Sequence, residues 1–321
     1  MISIIIPSRD SEKFIAKNIE SILKQDFKGK REIIVADSST DRTQEILAKY
    51  PVKVVKHNIK GASAARNIGV KHSRGEILVF VDADCVAPEA WLKNLVAPFE
   101  DKDVAAVAGT YRNLNHKNPI ANFLQYEIEQ RHEEMKKAEN IDFVGSYNCA
   151  YRRKVFEEMG GFNEKMIQAE DPDLSFRVAA KYKIKFAPAA YVYHWHTGKL
   201  MSFMKQKFQR GYWKTRLYRK YKGKVLNNVY TPASLMPQTL LFAISIFSLA
   251  LGIFDRTFFV FAALMMIFSY ALNFRLIKFT WKKDRGLILP SIALIFLRNV
   301  SACLGLAWGS KNLLMQQNKK I

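Results

Sequence analysis

The chain has 321 residues, with 50 Lys and Arg against 29 Asp and Glu, a formal net charge of +21. It is 49% hydrophobic and 25% charged, so it folds rather than staying disordered, and its length suits about two domains. The charge implies a polyanionic partner: nucleic acid, anionic lipid or a phosphorylated substrate. Cys85, Cys149 and Cys303 lie far apart without a CxxC, which excludes a disulfide framework and a zinc site and points to a reducing compartment. Met1 to Pro7 is too short for a signal peptide and lacks a basic leader, so it reads as a first strand that stays in the cytosol.

Ser3–Pro7 opens the chain as a strand. Ser11–Gln25 carries Phe14, Ile15, Ile19, Ile22 and Leu23 at helical spacing, with Ser11 as its cap. Ile33–Ala36 is a second strand, Thr43–Tyr50 a short helix, Val52–Val55 a third strand and Gly61–Ser73 an Ala-rich helix. Ile77–Val81 lacks alternation, as expected of a strand buried on both faces. Glu89–Phe99 is a helix and Val104–Ala108 a fifth strand, so strands alternate with helices as in a doubly wound, mostly parallel α/β sheet. Pro119–Glu139 follows as a helix, Asp142–Tyr151 as a strand and Arg153–Met159 as a helix stopped by Gly160-Gly161. Glu170-Asp171-Pro172-Asp173 opens a helix with acids and Pro in its first turn, and Ile184–Trp195 holds a last strand.

Beyond residue 198 the composition changes. Residues 199–224 hold ten Lys or Arg and no acid, interleaved with aromatics, which suits a basic amphipathic helix on an anionic membrane. Leu235–Phe254 and Thr257–Phe274 are uncharged runs of twenty and eighteen residues. Leu287–Gly309 is a third apolar run containing Arg298, which must face a protein interior or a lipid phosphate. The expected organisation is therefore a domain over 1–198, a basic interfacial segment over 199–233 and a transmembrane region of two or three spans over 234–321. The basic residues orient the first domain to the cytosol, as a multi-pass cell-membrane protein. These spans decide against nucleic acid as the partner.

Four polar clusters sit at strand ends or loops of the first domain: Pro7-Ser8-Arg9-Asp10, Asp37-Ser38-Ser39-Thr40-Asp41, Ala65-Arg66-Asn67-Ile68-Gly69 and Asp82-Ala83-Asp84. Ligands bind at the carboxyl ends of strands in open α/β sheets, and two carboxylates at i and i+2 of an extended chain face one point, which suits a divalent cation carrying phosphates. There is no GxGxxG and no GxxxxGK[ST], so neither a dinucleotide fold nor a P-loop is supported.

The order of these clusters, followed by Gly160-Gly161-Phe162 and Glu170-Asp171, resembles the family 2 glycosyltransferases of GT-A fold over roughly residues 1–200. The tail is similar to membrane-attached members that build exopolysaccharides or lipid-linked sugars. The resemblance implies an inverting transfer from a nucleotide-sugar (a UDP- or GDP-sugar) to a lipid-linked or glycan acceptor at a membrane of anionic lipid. Pro7, Ser8, Asp10, Asp37, Arg66, Asp82 and Asp84 would hold the nucleotide-sugar. Asp84, with Asp82, would carry Mg²⁺ or Mn²⁺, and Asp171 of the pair Glu170-Asp171 would be the catalytic base. His194 or His196 is a further candidate for the metal. His196, Arg210 and Trp213 are candidate contacts to the diphosphate or acceptor. Two other functions stay open at this point: a polyprenyl (dolichyl) phosphate glycosyltransferase, with Arg298 and the basic helix on the lipid phosphate, and a non-catalytic nucleotide-sugar-binding membrane scaffold.

Overall fold

A computed structural model of the chain describes residues 1–225, 228–231 and 233–318. Residues 226–227 and 232 of the expected interfacial segment, and 319–321 of the expected membrane region, lie outside the described residues. In chain order the elements are β1 (Ile2–Ser8), α1 (Ile15–Leu23), β2 (Arg31–Asp37), α2 (Thr43–Leu47), β3 (Lys53–Lys56), α3 (Ala62–Lys71) and β4 (Ile77–Val81). Then come β5 (Cys85–Val86), α4 (Trp91–Val96), β6 (Val104–Asn113), α5 (Pro119–Met135), β7 (Asn148–Arg152), α6 (Arg153–Glu158), α7 (Glu170–Ala179) and β8 (Lys183–His194). Helices α8 (Leu200–Lys220), α9 (Leu235–Leu251), α10 (Thr257–Ala271), α11 (Phe274–Lys283) and α12 (Ile288–Asn318) complete the chain. Two compact units result: residues 1–114 with 132–195, and residues 115–131 with 196–321.

The first unit is built on an eight-stranded sheet in the order β3-β2-β1-β4-β7-β6-β8-β5. Strands β3, β2, β1 and β4 are mutually parallel. Ile4, Ile5 and Ile6 of β1 and Leu78 to Val81 of β4 are fully buried, as the absence of alternation predicts. The sheet becomes mixed at β7, which runs antiparallel between β4 and β6. The strand expected over Asp142–Tyr151 begins only at Asn148. There the Asn148 side chain leaves the ladder's face to bond Thr110 O at 2.9 Å, Ala190 O at 2.8 Å and Trp91 Nε1 at 2.8 Å. Asn148 is thus a buried staple between strands. Helix α1 buries Ile15, Ile19 and Ile22 as its stripe requires, but starts later than expected. Ser11 contributes its carbonyl to Phe14 and Ile15 N–H, and its hydroxyl bonds Arg9 O instead of capping the helix.

The second unit is helical. Helix α8 lies against α12 because glycines let the backbones meet: a Cβ on Gly211 would come 2.6 Å from Ala302 O, and one on Gly309 2.7 Å from Tyr212 O. The basic helix therefore covers a protein partner with its small-residue face. Arg298 takes the protein-interior alternative: Nη1 bonds Glu127 Oε1 at 2.9 Å, while Nη2 bonds Gln238 at 2.8 Å and Asn273 at 2.7 Å. This corrects the reading of Arg298 as a lipid-phosphate ligand, since its guanidinium is already bonded to protein.

The expected two or three spans become fewer. Helices α9 and α10 have 17 and 15 residues. At about 1.5 Å per residue these fall short of a hydrocarbon core of about 30 Å. Helix α10 breaks at Leu272-Asn273 and bends by 53° into the basic α11. Among the described residues, one helical stretch, Arg285–Met315, is long and apolar enough to cross a membrane, or two if the bent pair is one span. Ile253, Phe254 and Leu289 are nonetheless 81%, 86% and 78% exposed, large apolar side chains without a protein cover.

Candidate active site

A cavity of about 470 Å³ opens at the carboxyl ends of β1 and β4, lined among others by Pro7, Ser8, Asp10, Ser38, Arg66, Asp82 and Asp84. The loop after β1 reaches it through Asp10, held at φ 48, a left-handed conformation that Asp tolerates. Asp10 Oδ1 accepts bonds from Thr40 N at 2.9 Å and Thr40 Oγ1 at 3.1 Å, and its own N–H bonds Ser39 Oγ at 2.8 Å. Ser39 Oγ in turn donates to Asp37 Oδ1 at 2.6 Å. The loops after β1 and β2 are thereby locked together. Asp37 is fully buried behind this wall and does not line the cavity, whereas its neighbour Ser38 does. The Ser8 hydroxyl is buried without a partner at the cavity's edge.

Helix α3 brings Arg66 in. Its N-cap Gly61 has φ 110, which only glycine adopts freely, and a Cβ on Gly69 would meet Ile5 Cγ2 at 2.5 Å, so the helix rests directly on β1. Arg66 is buried, with Nη2 2.7 Å from Asp82 Oδ1 and Nη1 3.9 Å from Glu170 Oε1. Burial alone would lower its pKa, but Asp82, Asp171 and Glu170 outweigh burial and raise it, so it stays charged. The next residue, Asn67, exchanges bonds with the backbone of Phe162, at 2.9 Å to its oxygen and 3.1 Å from its nitrogen. That clamp brings the Arg66-Asn67 and Gly160-Gly161-Phe162 clusters together in the fold.

Asp82-Ala83-Asp84 is a turn, not an extended stretch, closed by Cys85 N–H on Asp82 O at 3.1 Å. Asn18, a polar residue in the apolar stripe of α1, fixes that turn by donating to Asp82 O at 3.0 Å and Cys85 O at 2.7 Å. The two carboxylates consequently take different partners. Asp82 faces Arg66, and Asp84 Oδ2 lies 3.2 Å from His194 Nε2. Strand β8 pairs antiparallel with β5, setting His194 opposite Cys85, which is how a residue 110 positions away in sequence arrives here. Burial raises the Asp84 carboxyl, but the bond and charge of His194 outweigh it and hold the pKa below the ordinary range. His194 moves the opposite way: burial lowers it, the Asp84 bond and charge raise it more, and the net is upward.

Glu170 and Asp171 open α7. Burial, then the Asp171 charge, pushes Glu170 up to about 7 against the pull of Arg66. Burial also raises Asp171, opposed by Arg66 and by hydrogen bonds from Ser146. Glu170 Oε2 and Asp171 Oδ1 are buried and unpartnered, so each retains a free acceptor position. The structure thus gathers Pro7, Ser8, Asp10, Arg66, Asp82 and Asp84 around one cavity, with Glu170 and Asp171 reached through Arg66.

His196, Arg210 and Trp213 belong to the second unit. His196 is buried with Nε2 2.9 Å from Gln125 Oε1, so this histidine has a structural partner and the Asp84 partner is its neighbour His194. Sequence reasoning named both histidines as metal candidates and could not separate them. Asn18 was missed; its only signal was a polar residue at a core position of a helix.

Residues 3–160 match the family model described as Glycosyl transferase family 2. The chain is 32% identical over 191 residues to an O-antigen chain rhamnosyltransferase of Salmonella anatum, covering 56% of this chain and 59% of that protein. It is 27% identical over 216 residues to a pre-mycofactocin glycosyltransferase of Mycobacterium tuberculosis, covering 64% of this chain and 45% of that one. The chain thus spans about half the length of the curated relatives it matches. The structure of a mannosyltransferase from Pyrobaculum calidifontis, in complex with GDP-Man and Mn²⁺, superposes with a TM-score of 0.67 at 19% identity, covering 96% of this chain and 87% of that one. At that identity the likeness speaks to the fold.

Proposed function

We propose, of a chain that belongs to the family 2 glycosyltransferases, that it transfers a sugar from a UDP- or GDP-sugar to a lipid-linked or membrane-proximal glycan acceptor, with inversion. The observation that carries this reading is the cavity joining Asp10, Arg66, Asp82 and Asp84, with a buried acid pair behind the same arginine. Pro7, Ser8 and Asp10 meet the base and ribose, with the free Ser8 hydroxyl as one anchor. Asp37 acts through Ser39 by fixing that wall.

The Asp84 carboxylate supplies an oxygen donor of the kind that Mg²⁺ or Mn²⁺ takes, and the His194 imidazole beside it adds a nitrogen that suits Mn²⁺ better than Mg²⁺. Asp84 and His194, with Asp82, would hold the ion, which supplies positive charge against the leaving diphosphate. Asp171 accepts the proton from the acceptor hydroxyl as its oxygen bonds the anomeric carbon and the bond from that carbon to the diphosphate oxygen breaks. With Glu170 raised to about 7 and Asp171 supported by Ser146, the pair's first negative charge sits on Asp171. The second unit attaches the enzyme to an anionic membrane, with Arg285–Met315 as its apolar crossing and the catalytic unit on the cytosolic side.

A second reading, in which the acceptor is a polyprenyl phosphate, is favoured by the basic surplus of the second unit. Nucleotide release from a panel of UDP- and GDP-sugars by detergent-solubilised protein with Mn²⁺, with and without polyprenyl phosphate or glycan acceptors, tests both. Turnover that survives in both Asp84→Asn and Asp171→Asn removes the catalytic assignment. Nucleotide binding without turnover on any donor favours the non-catalytic scaffold.

A further inference from the structure

Three adjacent strands of the first unit each bring a ring to the sheet end that carries Asp82 and Asp84. Strands β6 and β8 are parallel to each other and β7 runs against β4 and β6, so the start of β7 and the ends of β4, β6 and β8 share that edge. Tyr147 immediately precedes β7, Tyr111 lies near the end of β6, and His194 closes β8. Neighbouring strands are about 4.8 Å apart, which sets rings in such a row at stacking distance. The Tyr147 and Tyr111 rings lie 3.6 Å apart at 19°, and the Tyr111 and His194 rings 4.7 Å apart at 32°. The row is anchored at both ends. A Cβ on Gly145 would fall on the Tyr147 ring, so this glycine admits the ring, and Tyr147 O accepts the Asp82 N–H at 3.4 Å. At the other end His194 Nε2 lies 3.2 Å from Asp84 Oδ2.

We infer that Tyr111, backed by Tyr147, is a positioning residue for the proposed metal centre: its ring fixes the plane of the His194 imidazole with Nε2 toward Asp84. The ring torsion of a histidine is broad and roughly two-fold, so a contact at one nitrogen leaves the imidazole free to swing about that contact. A ring packed on its face removes the freedom, and the imidazole is oriented before an ion arrives. Groups that orient a ligating histidine from outside the ligand set commonly change metal affinity by about 10–100-fold. The contact is made by ring faces, so phenylalanine at 111 preserves it, whereas leucine has no flat face to offer. The role rests on Asp84 and His194 holding the ion, as proposed above. It also links that centre to the acid pair, because Ser146, next to Tyr147, bonds Asp171.

The test uses the full chain in detergent with Mn²⁺ and either UDP or GDP, without a sugar donor, and reads the ion by paramagnetic resonance. Tyr111→Leu is expected to weaken Mn²⁺ binding about tenfold and to diminish the nitrogen coupling of the bound ion. Tyr111→Phe is expected to match the unaltered chain in both readouts. Tyr147→Leu, at a half-buried position, should move both in the same direction and less far, and it carries the test should Tyr111→Leu not fold. Tyr151→Leu removes a buried ring of β7 that packs on Phe80 and Phe156, and should melt lower with the coupling intact. Affinity and coupling unchanged in both the Tyr111 and Tyr147 leucine variants overturns the positioning role, because the imidazole is then held without the row. An equal loss in Tyr151→Leu overturns it too, because the effect is then general loosening. Absence of nitrogen coupling in the unaltered chain overturns the role together with His194 as a ligand, whereas coupling that survives in the leucine variants overturns the role alone.

Discussion

Arg66 Nη2 sits 2.7 Å from Asp82 Oδ1 while its other terminal nitrogen faces Glu170 at 3.9 Å, so one buried guanidinium joins the turn after β4 to the acid pair of α7. Three carboxylates (Asp82, Glu170 and Asp171) depend on it for countercharge.

Arg66→Met should therefore cost more than a lost contact. It leaves partly buried carboxylates without their countercharge, and breaking one side of a fully buried pair, the upper bound here, costs about 3–5 kcal/mol. Arg66→Lys keeps the charge but not the two-sided reach, and should fall between Met and the unaltered chain. Urea melts at pH 7.5 read the order. A Met variant as stable as the unaltered chain would show that the carboxylates take up protons instead.

The acid pair makes stability fall as pH rises. Glu170 binds its proton more tightly folded, at about 7, than unfolded, at 4.5. The folded state thus holds more protons between these values, and the stabilisation present below pH 4.5 is lost on passing through pH 7. Glu170→Gln should flatten that slope. Melting temperatures at half-unit pH steps from 4 to 8 decide it, and an unchanged slope assigns the effect to another group.

Removal of divalent ions with EDTA should abolish nucleotide release, and Mn²⁺ should restore it. Asp84→Asn should lower turnover by about a hundredfold or more, the scale of losing one electrostatic stabiliser of a transition state. Pulsed paramagnetic resonance of Mn²⁺ with a bound nucleoside diphosphate should show nitrogen coupling that His194→Gln removes. Coupling that persists in His194→Gln excludes this imidazole as a ligand.

Gly211→Val inserts a side chain where α8 and α12 touch through Ala302 O. Overpacking of this kind costs about 1–3 kcal/mol, so the detergent-solubilised variant should melt several degrees lower and be cut faster by chymotrypsin within α8. Gly223→Val, at a glycine whose added Cβ meets no atom within 4 Å among the described residues beyond its chain neighbours, is the control.

The resemblance by itself pointed to the family through ordered clusters, and the geometry shows that these clusters touch. In the fold Ala65-Arg66-Asn67 meets Gly160-Gly161-Phe162 because Asn67 bonds the backbone of Phe162, and meets the DxD because Arg66 bonds Asp82. The membrane expectation was less complete. Uncharged runs are visible in a sequence, but where a helix breaks is set by local backbone, as at Leu272-Asn273.

Apolar runs without alternation, acids opening a helix and the order of polar clusters belong to the chain itself, because each follows from local spacing and side-chain chemistry. Strand direction at β7, the turn that sends Asp82 to Arg66 and Asp84 to His194, the choice of His194 over His196 and the burial of Arg298 on Glu127 were decided only by tertiary structure. The physical reason is distance along the chain. Each depends on partners brought together by sheet pairing or helix packing, and charges and hydrogen bonds act through space, where sequence separation carries no information.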